Sequence, residues 1–353
     1  MPASTRMLDE IREQPAALRR ALATVVAPAR KIAAECARRD IRLVMVAARG
    51  TSDNAGVYAQ YLLQYLNRIP VALATPSLFT LYRTTIRMDG VLMVGISQSG
   101  EAPDVVEVLT QARQQGAYTV AVTNVAPSPL ASEAEEVLLC DAGREYSVAA
   151  TKTYTTTCLA LAALASHFPG GERLKPALER VPDRVAEALQ VEQQIARGVV
   201  RYVHAAECIV LGRAFQYGTA REMALKLQET CYVIATPFST ADFHHGPAAL
   251  VERGSPVIVF AAPGPCVPDA REVLTWLRDQ RADTVVVSED MTLLELATTP
   301  VRLDLPEETP EIAELLSPIA YIAPGQLFAQ YLALERGLDP DHPRSLSKVT
   351  RTR

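Results

Sequence analysis

The chain carries six cysteines, Cys36, Cys140, Cys158, Cys208, Cys231 and Cys266, but no CxxC pair. The expected state is reduced, buried thiols in a cytoplasmic protein, with a single catalytic thiol as the alternative. There is no Lys/Arg block, zinc-finger spacing or zipper, and the formal net charge is −5. That speaks against a nucleic-acid or anionic-membrane surface. The opening stretch "MPASTRMLDEIREQPAALRRALA" is charged throughout and lacks the apolar centre of a secretory signal. No apolar run is expected to approach the roughly 20 residues that a membrane helix needs. The Walker pattern GxxxxGK[ST] is absent as well.

What is present is a repeat. "EVLTQARQQGAYTVAV" from Glu107 and "EVLTWLRDQRADTVVV" from Glu272 align without a gap, at an offset of 165. Upstream, Arg49 in "RLVMVAARGTSD" matches Arg213 in "ECIVLGRAFQYG", and Thr75 matches Thr236. Each copy reads strand, helix, strand, loop, strand, helix, strand. The strands, at 43–47, 91–95, 119–122, 209–211, 257–260 and 285–287, are short and apolar on both faces, which suits parallel strands covered on both sides. Strands alternating with helical segments give βαβ units and doubly wound parallel sheets, so the expected class is α/β with two tandem domains. A chain of 353 residues with 49% hydrophobic content is large enough for both. The expected organisation is an N-terminal helical segment at 1–38, a first domain at 39–170, a polar helical linker at 171–198, a second domain at 199–335 and a polar tail at 336–353.

In "VLMVGISQSGEAPDVVEVL" a buried strand runs into Ser97, Gln98, Ser99 and Gly100 and then into a helix. Ligands of open α/β sheets bind beyond the carboxyl ends of the strands. A helix N-terminus offers free N–H groups and partial positive charge, the hydroxyls and amide add donors, and glycine allows close approach. An ordinary capped polar turn is the plainer reading. Two further hydroxyl-rich helix starts favour an anion site: Thr51 and Ser52 in "ARGTSDNAG", and the cluster "SVAATKTYTTT". Three such clusters fit a sugar phosphate. The second copy has "APGPCVPD" at the loop position, so the serines belong to the first copy alone.

The second copy has a different asset. In "TAREMALKLQETCY", Glu222, Lys226 and Glu229 fall at i, i+4 and i+7 and share a helix face. Such a row is most often a solvated salt-bridge stripe. Here the rest of the helix is apolar, and "FHHGP" follows, placing His245 on a Gly-Pro turn. Neighbouring His244 and His245 point apart, so they suit no two-histidine metal site. A carboxylate, a lysine and a histidine, with an anion cradle, suggest proton transfer on a phosphorylated sugar.

Together "GISQSGEAPD", "RGTSDNAG", "VAATKTYTT", "AREMALKLQE", "HHGP" and "PRSLSKV" resemble the sugar-isomerase (SIS) family. The likeness runs from "EIREQP" to the tail. It is close to the isomerase portion of glutamine–fructose-6-phosphate amidotransferases, and closer to stand-alone type II glucosamine-6-phosphate deaminases. The resemblance implies two SIS domains and a homodimer with sites completed across subunits. It implies that Ser97, Gln98 and Ser99 hold the phosphate with Thr51 and Ser52 nearby, and that Val148, Ala149 and Ala150 line the sugar. Glu229 would move the proton between C1 and C2. His245, from the neighbouring subunit, would open the ring. Lys226 would assist at the sugar oxygens, Lys348 would reach the substrate carbonyl region, and Glu222 would be the carboxylate that supports Lys348. No metal or organic cofactor is implied, and neither nucleic acid nor membrane is an expected partner.

The amidotransferases carry a phosphate-binding threonine where this chain has Ala102 and a serine where it has Ala150. The chain also passes from Met1-Pro2 directly into SIS-like sequence, so it is not expected to hydrolyse glutamine by itself. The expected activity is that of a glucosamine-6-phosphate deaminase releasing fructose 6-phosphate and ammonia. The alternatives are another phosphosugar isomerase or deglycase, an ammonia-dependent synthase module, and a non-catalytic sugar-phosphate sensor. The absence of a helix-turn-helix arm speaks against the sensor.

Overall fold

The computed structural model describes residues 5–348. Ten strands form two parallel sheets. The first contains β1 (Leu43–Ala47), β2 (Val71–Leu73), β3 (Val91–Ile96), β4 (Tyr118–Thr123) and β5 (Glu136–Leu139) in the order β2-β1-β3-β4-β5. The second contains β6 (Glu207–Gly212), β7 (Ile234–Phe238), β8 (Pro256–Ala261), β9 (Asp283–Ser288) and β10 (Thr299–Arg302) in the order β10-β9-β8-β6-β7. Read from the other edge, the second order is the first one repeated. Every pairing is parallel, with Val46 opposite Val94 in one sheet and Leu211 opposite Val259 in the other. The repeat in sequence is thus a repeat of topology, and the α/β class with two doubly wound parallel sheets holds. Sequence patterning found four strands in each copy; the fifth in each sheet, β5 and β10, lies at an edge and is four residues long.

The chain divides into two compact units. The unit of the first sheet comprises Ala16–Glu145, Lys152–Arg180 and, at the end of the described residues, Ser347 and Lys348. Its core sets Val91 and Met93 of the sheet against Val105, Val108, Leu109 and Ala112 of the helix Pro103–Gln114. The unit of the second sheet comprises the chain up to Pro15, the short stretch Tyr146–Thr151, and Val181–Leu346. There Val257 and Val259 pack with Val273, Leu274 and Leu277 of the helix Val267–Asp279.

One expectation from composition needs correction. The helix Pro310–Glu335 is 26 residues long and apolar enough, by length and composition, to cross a membrane. Its most apolar window is wholly buried, and it forms a core helix of the second unit. Gly325 lets it approach the helix Gln216–Lys226 closely, because a Cβ there would come within 2.9 Å of Met223 Sδ. Gln216 Nε2 donates to Ser317 Oγ across the same seam at 2.7 Å.

Candidate active site

In the unit of the first sheet, residues 97–102 connect β3 to the helix Pro103–Gln114. Gly100 turns this loop with φ +68°, a conformation that L side chains avoid, and a Cβ there would lie 2.1 Å from Ser128 Oγ. The Gly100 N–H points to Ser97 Oγ at 3.2 Å, and the Glu101 N–H points to Ser99 Oγ at 3.2 Å. Both serine oxygens accept from the loop, so their hydroxyl protons are available to donate to an anion. Ser97 is buried, while Gln98 and Ser99 are partly open. Thr51 and Ser52 open the helix Thr51–Asn67 after β1.

Arg49, just before that helix, pairs with Asp104 at 2.6 Å. Asp104 is 1% exposed at the start of the Pro103–Gln114 helix, whereas Arg49 keeps half its side chain in solvent. The pair neutralises a carboxylate that would otherwise repel an anion at this helix start. Its counterparts in the second unit, Arg213 and Asp269, turn to other partners: Arg213 to Ser239 at 3.5 Å, and Asp269 to the Thr240 hydroxyl. The equivalent hollow there, lined by Arg213, Thr240, Cys266 and Glu314, holds only about 10 Å³. Gly264 sits so close to the Glu314 carboxyl that a Cβ would approach within 2.5 Å. Burial raises the pKa of Glu314. A filled hollow with a carboxyl in its wall does not suit a phosphate.

Two residues missed in the sequence reading organise the rim of the first sheet. The Asn124 N–H donates to the Gln98 carbonyl at 3.0 Å. Its side chain then accepts from the Ala142 N–H at 2.7 Å and donates to the Gly143 carbonyl at 2.8 Å. Glu145, two residues on, has a fully buried side chain. It accepts from the Thr153 N–H at 3.2 Å, the Thr153 hydroxyl at 2.6 Å and Lys348 Nζ at 3.0 Å. A run of Asn, Gly and Glu in loops carries no periodic signal that would have marked these roles.

In the unit of the second sheet, the helix Gln216–Lys226 passes into a π-type turn at Leu227–Cys231. Such turns are concentrated at functional sites. Lys226 Nζ lies 3.3 Å from Glu222 and 2.5 Å from Glu229. Lys226 and Glu222 are fully buried, and Glu229 is 22% exposed. The row is therefore not a solvated stripe. Burial alone would lower the pKa of Lys226; the charges of Glu222 and Glu229 outweigh it and hold the ammonium above the ordinary lysine range. A fixed cation beside a part-exposed carboxylate suits movement of a proton at a carbon next to a carbonyl.

His245 follows the short helix Thr240–His244, and Gly246 after it has φ +142°. His244 packs on Phe243 and Trp276. His245 is exposed, and its backbone N–H donates to the Asp242 carbonyl at 3.1 Å. Val148, Ala149 and Ala150 belong to the stretch Tyr146–Thr151. That stretch is fixed by buried Glu10, whose carboxylate accepts from the N–H groups of Tyr146 and Ser147 and from the Ser147 hydroxyl.

These elements define a class: tandem doubly wound parallel sheets, one followed by a Ser-Gln-Ser-Gly loop at a helix start and the other by a buried Glu-Lys-Glu row. The sequence model of the SIS domain matches residues 39–167 and 202–335, and the chain belongs to that family. A glutamine–fructose-6-phosphate aminotransferase (isomerizing) from Methanothermobacter thermautotrophicus is 34% identical over 347 residues, covering 97% of this chain and 56% of that protein. The chain thus spans little more than half the length of this curated relative. The C-terminal domain of glucosamine-fructose-6-phosphate aminotransferase from Francisella tularensis superposes with a TM-score of 0.87 at 26% identity, covering 97% of this chain and 99% of that one. A glucosamine-6-phosphate deaminase from Thermotoga maritima shares the fold, with a TM-score of 0.79 at 20% identity, covering 99% and 100% of the two chains.

Proposed function

We propose that the chain is a glucosamine-6-phosphate deaminase of the isomerizing kind. The observation that carries this reading is the buried Glu222–Lys226–Glu229 row, which ends in a carboxylate that solvent and substrate can reach. The Ser97, Gln98 and Ser99 loop, with Thr51 and Ser52, takes the phosphate. Val148, Ala149 and Ala150 line the sugar. His245, on an exposed turn, opens the pyranose ring of a substrate held by a second copy of the chain, so the working unit is a homodimer.

The open-chain sugar presents an aldehyde at C1 and an amine at C2. Glu229 takes the C2 proton, and the electron pair forms a C1–C2 enolamine whose C1 oxygen takes a proton, relayed by water, from the protonated amine. Glu229 then returns its proton to C1, leaving an iminium at C2. Water adds to that carbon, ammonia departs, and fructose 6-phosphate remains. Lys226, fixed as an ammonium by two carboxylates, stabilises negative charge developing at the sugar oxygens. Lys348 serves the carbonyl end. Each positioned proton transfer contributes on the order of 10²–10⁴ in rate. No step here calls on a metal or organic cofactor.

The likeness to aminotransferases favours one second reading: the same steps run in reverse, from fructose 6-phosphate and ammonia. Assays in both directions with free ammonia separate the two. Failure to interconvert glucosamine 6-phosphate with fructose 6-phosphate and ammonia in either direction would overturn both.

A further inference from the structure

Lys348 is held by a residue to which no role has been given. Its Nζ lies 3.0 Å from Oε2 of Glu145, whose side chain is fully buried while that of Lys348 is 27% exposed. The same carboxylate is fixed from the other side by the N–H and hydroxyl of Thr153, at the start of the helix Lys152–His167. A carboxylate seated on a helix N-terminal turn by two donors has little freedom, so a cation drawn to it is drawn to one place.

That place is built on the frame that shapes the anion loop. Asn124 binds the Gln98 carbonyl through its backbone and the Ala142 and Gly143 backbone through its side chain. Arg20 adds hydrogen bonds to the carbonyls of Asp141 and Ala142, at 3.3 and 2.9 Å. The segment leading into Glu145 is therefore tied to the loop at residues 97–99, all inside the unit of the first sheet.

We propose that Glu145 is a positioning residue: its buried carboxylate stations Lys348 at a fixed offset from the phosphate loop, where the lysine serves the carbonyl end of an open-chain phosphosugar. This rests on the phosphosugar reading above. Glu145 touches no reacting atom in this account and acts through Lys348 alone.

The test pairs a double-mutant cycle with a measurement that needs no turnover. The chain has five lysines, Lys31, Lys152, Lys175, Lys226 and Lys348. Lys226 and Lys152 are buried, and exposed Lys31 and Lys175 provide internal references. Limiting acetic anhydride, read by peptide mass, reports access to Lys348. Glu145→Gln is expected to raise Lys348 labelling several-fold relative to Lys31 and Lys175. It is expected to lower kcat by between about tenfold and 10²-fold, the scale of a misplacement of about 1 Å. Inhibition by inorganic phosphate should be unchanged. Lys348→Met, made from the more exposed side of the pair, should lower kcat at least as much, and adding Glu145→Gln to it should cost nothing further.

Unchanged labelling in Glu145→Gln overturns the proposal whatever reaction the protein performs. So does a double variant whose loss is the product of the single losses, since Glu145 would then act independently of Lys348. A wild-type chain inert towards glucosamine 6-phosphate, with Lys348 labelling still raised in Glu145→Gln, overturns the deaminase reading and leaves the clasp standing.

Discussion

Lys226 and Glu222 form an ion pair of 3.3 Å in which both side chains are fully buried. A buried cation with two carboxylate neighbours is costly to assemble and more costly to break. Lys226→Met removes the cation beside buried Glu222 and should destabilise the fold by about 3–5 kcal/mol, read from chemical denaturation. Adding Glu222→Gln should recover part of that loss. The pH dependence has a definite sign. The folded-state pKa of Lys226 is raised, by Glu222 and Glu229 overcoming burial. The stabilisation is therefore full below the ordinary lysine value of 10.5 and is lost as pH rises above it towards the folded pKa. Lys226→Met should flatten that alkaline decline.

Glu229 is the member of the row with an open side chain. Glu229→Gln keeps its shape and removes its basicity. Turnover should fall on the order of 10²–10⁴-fold, while substrate still raises the melting temperature. Retained turnover would remove Glu229 from its assigned role.

Gly100 has no room for a side chain, and its backbone favours glycine. Gly100→Ala must either push Ser128 away or flatten the loop, at a cost of about 1–3 kcal/mol in backbone strain. The expected result is a raised KM and weaker inhibition by inorganic phosphate, with a smaller effect on kcat. An unchanged KM would show that the loop does not bind the phosphate.

His245 lies on an exposed turn. If a second copy brings it into play, mixing inactive Glu229→Gln and His245→Ala variants should restore part of the activity through hybrid dimers. No recovery after subunit exchange, shown by size analysis of tagged chains, would place the ring-opening group elsewhere.

The parts of this architecture that repeat were legible in the sequence. Two-sided apolar runs such as 91–95 and 257–260 can only be buried parallel strands once they alternate with helical segments, and the aligned copies set the common topology. The edge strands β5 and β10 were missed because runs of only four residues, EVLL and TPVR, are too short to show a strand period. The helix Pro310–Glu335 was missed as a long apolar segment, since Pro318 and Pro324 break the visual run while the helix absorbs them. At the site, chemically conspicuous residues such as Ser97, Lys226 and Glu229 could be picked out by spacing. The turn that carries Glu229 could not, because a π-type register leaves no mark in residue type. Asn124 and Glu145 act through contacts between loops far apart in sequence, and a pattern confined to neighbours cannot register them.

The proposed reaction is tested most directly by release of ammonia and fructose 6-phosphate from glucosamine 6-phosphate with no glutamine present. A deaminase releases both products in equal amounts, and Glu229→Gln abolishes the release. Binding of the sugar phosphate, seen as a raised melting temperature, with neither product formed would contradict it.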